Sequence, residues 1–324
     1  MSVSVQLCAG LAPSCVLKVP RSSFFSRRSG PTLLGLLLVL ATLAVSLPHA
    51  ALAQEPPYFV AYSSALEEPG NLEIAFKGLT ASPKNANAFM SHTLELEYGA
   101  TAWWTTELYL QGQSTVNDST VFTGLRSENR FRFLPTEHWI NPVLYVEYEN
   151  ISAADKSLLE IVGNDSISDL QPSNAELYGE TEREIEGKLI LSSNAKGWNF
   201  SENFIAEKNL SNEPWEFGYA LATSRPLALA GSSRSCLFCR QNFTAGAELY
   251  GGLGTTQSFG LASTSHYAGP TVSFEVPHGP AISFSPQFGL NDNSAGVLWR
   301  FKVAYEIQQF RDWFRHNSFR GGSR

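Results

Sequence analysis

In four stretches of this chain ionisable residues recur at every second position. Glu180, Glu182, Glu184 and Glu186 share one face with Lys188, and Arg126, Glu128, Arg130 and Arg132 share another. Glu95 with Glu97, and Glu147 with Glu149, repeat the spacing. A period of two puts side chains on one face of a β-strand. Carboxylates and guanidinium groups lined up in this way would form a charged wall able to select solutes. Two alternatives stay open. The charges can neutralise one another without selecting anything, and part of 180–186 can stand clear of the sheet as a loop hairpin.

Other chemistry is poorly supported. The six histidines are scattered, and no phosphate loop, H-E-x-x-H motif or calcium loop is present. Ser263, Ser265 and His266 lie near one expected outer loop, with Asn291 and Asp292 in another, as a rim hydrolase would require. No spacing singles them out, so no catalytic residue, metal or cofactor is expected. Cys236 and Cys239 form a C-x-x-C pair. Haem attachment would need a histidine where Arg240 stands, zinc a second ligand pair, and a redox motif a thioredoxin-like setting. A local disulfide between Cys236 and Cys239, in an oxidising compartment, is the remaining reading.

The elements that would position these charges are strands. Residues 93–98 and 103–111 alternate apolar and polar side chains around a break at Gly99–Thr101, which reads as a hairpin. Its arms are about 8 to 10 residues long, close to the 9–11 that a tilted strand needs to cross a bilayer. Similar segments fall at 72–78, 122–133, 143–149, the second half of 176–191, 198–208, 215–223, 243–251, 267–276, 282–290 and 298–307. An antiparallel, closed transmembrane β-barrel of about 12 strands, an all-β fold, accounts for them. Short connections after the second, sixth and tenth strands would face the periplasm, with the long 150–175 connection outside. Two features break the pattern: the long 224–242 connection falls on the periplasmic rim, and Ser127 and Asn129 fall on the lipid face. Trp103, Trp104, Trp139, Trp198, Trp215 and Trp299 mark strand ends, as an aromatic girdle would. A soluble periplasmic β-protein alternates in the same way and remains the competing architecture.

Residues 1–53 read as a signal peptide: Arg21, Arg27 and Arg28, then an apolar core from Thr32, then Ala51-Leu52-Ala53. Without the four basic residues of that segment, 19 basic face 30 acidic residues, a balance near −11. Such an acidic chain argues against a nucleic-acid partner. The remaining organisation is a periplasmic lead-in at 54–70, the barrel at 71–310 and a basic tail at 311–324. The excess of acid predicts a preference for cations.

Three stretches, at 92–110, 180–210 and 214–224, resemble the small, porin-like outer-membrane β-barrel proteins of bacteria. The likeness covers about residues 68–310 and carries no catalytic residues. It implies export to the outer membrane, contact with its lipid, insertion by the barrel-assembly machinery and passive passage of small solutes. A non-conducting barrel acting through its outer loops is the second functional expectation. The chain departs from the family at its end, where Phe310 falls out of the alternation of the last strand.

Overall fold

The computed structural model describes residues 56–84, 86–157, 162–163, 167–211, 213–229 and 236–313. The expected signal peptide and the tail beyond Trp313 lie outside the described residues. Strands β1 (Leu72–Ala81), β2 (Phe89–Thr101), β3 (Trp104–Thr115), β4 (Thr120–Arg132), β5 (Asn141–Ser152) and β6 (Thr181–Ala195) form the first half. The second half is β7 (Trp198–Asn209), β8 (Trp215–Pro226), β9 (Phe243–Thr255), β10 (His266–Glu275), β11 (Ala281–Gly289) and β12 (Val297–Ile307). Each strand pairs antiparallel with the next, and β1 pairs with β12 from Leu72↔Ile307 to Ala81↔Leu298. The sheet is therefore a closed barrel of twelve strands, as the alternation predicts.

Alternation sets the two faces. On β3, Thr105, Glu107, Tyr109, Gln111 and Gln113 are buried, whereas Leu108 between them is 41% exposed. Phe76, Leu94, Leu125, Leu189, Phe204 and Phe284 stand exposed in the same way on other strands. A belt of exposed apolar side chains around a polar interior is the arrangement of a barrel solvated by lipid. Closure leaves no strand edge, so every strand finds ladder partners within the sheet.

The rim where β1 begins and β12 ends, here the proximal rim, carries the tight turns. After β6 the chain reverses through Lys196 and Gly197, both at positive φ (52° and 81°), the backbone of a two-residue turn matched to strand twist. The long 227–242 connection lies on this same rim, and within it Cys236 and Cys239 are joined as a disulfide. Trp103 and Trp104 stack on Phe131 near this rim, and Trp198 stacks on Phe200.

Ser127 and Asn129 do face outward. A bulge in β4 pairs Gln111 with Gly124 and Gly112 with Phe122, which leaves Thr123 extra and reverses the phase of the strand. Gly124 adopts φ 152°, and a side chain there would strike the Asn150 carbonyl. Asn129 is satisfied from within the sheet, because its Oδ1 accepts from the Trp104 indole at 3.0 Å.

Residues 54–70, read as a periplasmic lead-in, do not hang below the barrel along their described length. From Pro56 the chain enters the lumen, buries Val60 and Ala61, and returns to the proximal rim, where Gly70 N–H donates to Gly99 O at 2.7 Å. Val60 and Ala61 join Leu79, Ile205, Ala220, Tyr250 and Leu298 in an apolar cluster inside the barrel. A lumen this narrow must be filled by solvent or by chain, and here a stretch of small and aromatic residues fills it.

Leu108 lies midway along β3 on the outer face, so Leu108→Arg is expected to destabilise the barrel by about 2–4 kcal/mol. Urea unfolding in lipid vesicles measures this. An unchanged midpoint would mean that the face is not in contact with hydrocarbon.

Candidate functional site in the barrel lumen

Register brings together residues that alternation alone leaves separate. Glu306 of β12 pairs with Glu73 of β1, and Glu73 with Glu97 of β2. Glu97 pairs with Glu107, Glu107 with Glu128, and Glu128 with Glu147. Glu147 pairs with Glu186, Glu186 with Glu207, and Glu207 with Glu216. One glutamate thus stands on the inner face of each of nine successive strands, from β12 through β8. A row of directly paired residues runs across the strands, and the strands tilt, so the row climbs the wall. It begins beside the proximal rim at Glu306 and Glu73 and ends at the distal rim at Glu216.

Like charges directly opposite one another are destabilising. Basic residues flanking the row offset the repulsion. Arg130 meets Glu97, Glu107 and Glu128, with its Nε 3.1 Å from Glu128 Oε1. Arg126 reaches Glu147 at 2.6 Å and lies over the Tyr109 ring at 4.4 Å. Lys188 pairs with Glu186 at 2.9 Å and lies 4.2 Å from the Tyr145 ring centre. Lys302 reaches Glu73 at 2.7 Å, and Lys77 pairs with Glu95. These pairs run along the wall, within one strand or between strands at most two apart, and not across the lumen.

Glu180 is exposed ahead of β6, and the other charges named for the wall lie on the inner face. Glu95, Glu97, Glu128, Arg130, Glu147, Glu149, Glu186 and Lys188 are buried. Arg126, Arg132, Glu182 and Glu184 are half-buried, and Glu184 accepts from Asn209 at 2.9 Å near the distal rim. The sequence reading passed over Lys77, Glu107, Lys302 and Glu248. Glu107 shares its alternation with Tyr109, so pairing the hairpin at 93–111 would have found it. Glu248 stands alone among alanines and glycines and gave no signal.

The opposite part of the wall carries fewer charges, and residues 58–61 lie against it, while residues 62–65 reach Glu128, Arg130 and Arg132 of β4. The Glu248 Oε1 atom accepts main-chain N–H groups from Phe59, Val60 and Ala61 at 2.9, 2.9 and 3.0 Å. Asn203 accepts from Tyr62 N–H at 2.6 Å and donates to Tyr62 O at 2.9 Å. Tyr58 donates its hydroxyl to Asn199 Oδ1 at 2.8 Å, and Tyr62 donates its own to Glu128 at 3.0 Å. Between this segment and the proximal rim lies a cavity of about 400 Å³, lined by Ser63, Arg132, Glu137, Asn141, Asn199 and Thr244 among others.

The connection between β5 and β6 folds over the distal end. Asp155 is buried and accepts from Gln111 at 3.2 Å and from Ser157 N–H at 2.8 Å. Lys156 donates to the carbonyls of Leu170 and Pro172 at 3.0 and 2.9 Å. Burial pushes the Lys156 ammonium below the usual lysine range, against the pull of Asp118. Val162 and Gly163 bridge to Gly218 and Gly254 on the far wall. Gly163 sits at φ 63° against the Glu216 carboxylate, where no side chain would fit.

Of the residues weighed for a rim hydrolase, His266 and Asn291 are tied into a hydrogen-bonded network at the distal rim. Its Nδ1 is 3.1 Å from the Tyr219 hydroxyl and its Nε2 2.8 Å from Thr264 Oγ1. Thr264 is wholly buried, so its hydroxyl is closed to a lipid substrate. Ser294 bonds to the main chain of His266 and to Asn291 Oδ1.

Fold and wall together define a closed β-barrel of the outer-membrane type with a charged interior. No family model and no curated relative matches the sequence. Among solved structures the chain is similar to the KdgM porin (TM-score 0.40, 7% identity, covering 73% of this chain and 98% of that one). It is also similar to an outer membrane channel from Pseudomonas putida F1 (TM-score 0.46, 12% identity, 78% and 99%). A third is LpxR from Salmonella typhimurium (TM-score 0.35, 11% identity, 72% and 99%). At these identities and scores the likenesses carry no inference about activity.

Removing Arg130 leaves three buried carboxylates uncompensated, so Arg130→Met is expected to cost about 3–5 kcal/mol of stability. Arg225→Met, which removes only an outer contact with the Trp198 ring at 5.7 Å, is expected to cost at most about 1 kcal/mol. Paired urea titrations compare the two, and equal losses would contradict the role given to Arg130.

Proposed function

We propose that this protein is an outer-membrane conduit for small hydrophilic solutes, cation-preferring, and closed at rest by its own residues 56–71. The observation that carries the reading is the climbing row of glutamates. Like charges brought face to face on nine strands are costly, and a simple structural barrel would gain nothing by them. In a conduit they supply a negative wall from one rim to the other, and lumen charge sets which solutes enter. The flanking arginines and lysines stabilise the row without cancelling it, because the inner face keeps more carboxylates than cations. Outer-membrane lipid and the barrel-assembly machinery are the partners this reading requires, and the signal read at 1–53 supplies the export.

A second reading has its own observation. Residues 56–65 and the β5–β6 connection occupy the lumen from opposite ends, which favours a non-conducting barrel acting through its outer surface.

Planar-bilayer recording separates the two. The intact protein is expected to show rare, small openings. Glu248→Ala, which removes the acceptor of three N–H groups, should raise open probability at least tenfold, with reversal potentials in a salt gradient favouring cations. Glu207→Gln with Glu216→Gln should weaken that preference. A folded, heat-modifiable Glu248→Ala barrel that never conducts would remove the conduit reading, and an anion preference would remove the selectivity.

A further inference from the structure

The bonds that hold residues 58–65 are mostly bonds to main chain. Glu248 takes three consecutive N–H groups, and Asn203 takes both the N–H and the C=O of Tyr62. Arg132 donates to Ser64 O at 2.7 Å, and Arg130 to Ala65 O at 3.3 Å. Four wall residues thus grip the peptide backbone at six of the seven positions 59–65. Tyr58 and Tyr62 add side-chain hydrogen bonds to the wall, while the side chains of Val60 and Ala61 join the apolar cluster of Ile205, Ala220 and Leu298. The donors and acceptors are placed for a chain that bends at Phe59–Val60, so that three successive amides converge on one carboxylate oxygen, and then for a side-chain amide and guanidinium groups that meet the main chain further on. Bonding to the main chain gives affinity without reading sequence.

We infer that the lumen wall at Glu248, Asn203, Arg130 and Arg132 is a binding site for oligopeptides, read through their backbone, and that residues 59–65 are its resident occupant. The inference names the solute class of the proposed conduit and rests on that reading for its purpose, but binding itself does not require conduction. A peptide main chain supplies the three donors in order. Small residues of the wall beside Val60, such as Ala220, leave room for varied side chains.

The test uses the full chain with the resident segment loosened. Val60→Pro with Ala61→Pro removes two of the three N–H donors and leaves the wall untouched. Maleimide labelling of Ser63→Cys, a buried position, then reports release. Continued protection in the double-proline chain would overturn the inference, because main-chain bonds would then not be what holds the segment. Once it is released, fluorescence anisotropy follows a labelled heptapeptide, Tyr-Phe-Val-Ala-Tyr-Ser-Ser. The peptide and its scrambled form are expected to bind within threefold of each other. N-methylation of the three amides at its second to fourth residues should weaken binding at least tenfold, and so should Glu248→Gln in the barrel. No binding, equal binding of the methylated peptide, or rejection of the scrambled sequence would each overturn it. Binding is read without current, so its failure is distinct from a failure to conduct.

Discussion

The ladder between β1 and β12 is the constraint on which the rest depends. In hydrocarbon an unpaired N–H or C=O costs several kcal/mol, so a sheet can stand in a membrane only if its first strand finds its last. Closure fixes the number of strands, and that number fixes a lumen too narrow for a folded domain and too wide to be filled by wall side chains alone. It also forces the register of each strand onto its neighbours, because a slip of one residue would turn a polar face to lipid. The bulge at Thr123 shows the tolerance of the system. It reverses the phase of β4 once, and Asn129, carried to the outside, is met by the Trp104 indole.

Register also explains how the glutamates come to stand in a row. No single strand has an unusual number of them, apart from β6. Their alignment arises because each lies at the same height relative to the strand before it, across eight successive ladders. Every such pairing opposes like charges at the short cross-strand spacing of a sheet. The offsetting cations sit two residues above or below, one pleat repeat away. Arg130 and Lys188 lie on the proximal side of the row and Arg126 on the distal side. The wall is then a band of negative charge bordered by positive charge, and removing a border residue exposes several carboxylates at once.

Much of this was legible in the sequence, and the parts that were not have physical reasons. Alternation is a local signal, so the strands, the outward apolar belt and the inward placement of Glu95, Arg126, Glu147 and Lys188 could all be read. The 176–191 segment shows the limit of that signal. Its first residues alternate, but Ser173 caps a single helical turn at Asn174–Leu177, accepting from Glu176 N–H at 3.2 Å, and the strand starts only at Thr181. The row itself depends on register between strands far apart in the chain, and bulges near Gly99 and Gly112 shift it by amounts no alternation count reveals. The occupant of the lumen was invisible for a different reason. Glu248 recognises amide N–H groups, which every residue but proline has, so nothing in the composition of 56–65 marks it as a ligand.

The two halves of the wall explain why that segment lies where it does. A buried carboxylate needs compensation, and on β12 through β6 it comes from lysine and arginine. At Glu248 three amides supply it instead, with Gln287 Nε2 at 3.3 Å from the second oxygen. Amides are weaker partners than cations, but they arrive on a chain that also buries Val60 and Ala61 against Tyr250 and Leu298. Apolar contact and carboxylate capping therefore stabilise the same stretch together, and neither would hold it alone. From Tyr62 onward the segment crosses to the charged half, where Glu128, Arg130 and Arg132 meet it. The half with fewer charges accepts residues 59–61 because the carboxylate buried against them is capped by their own main chain.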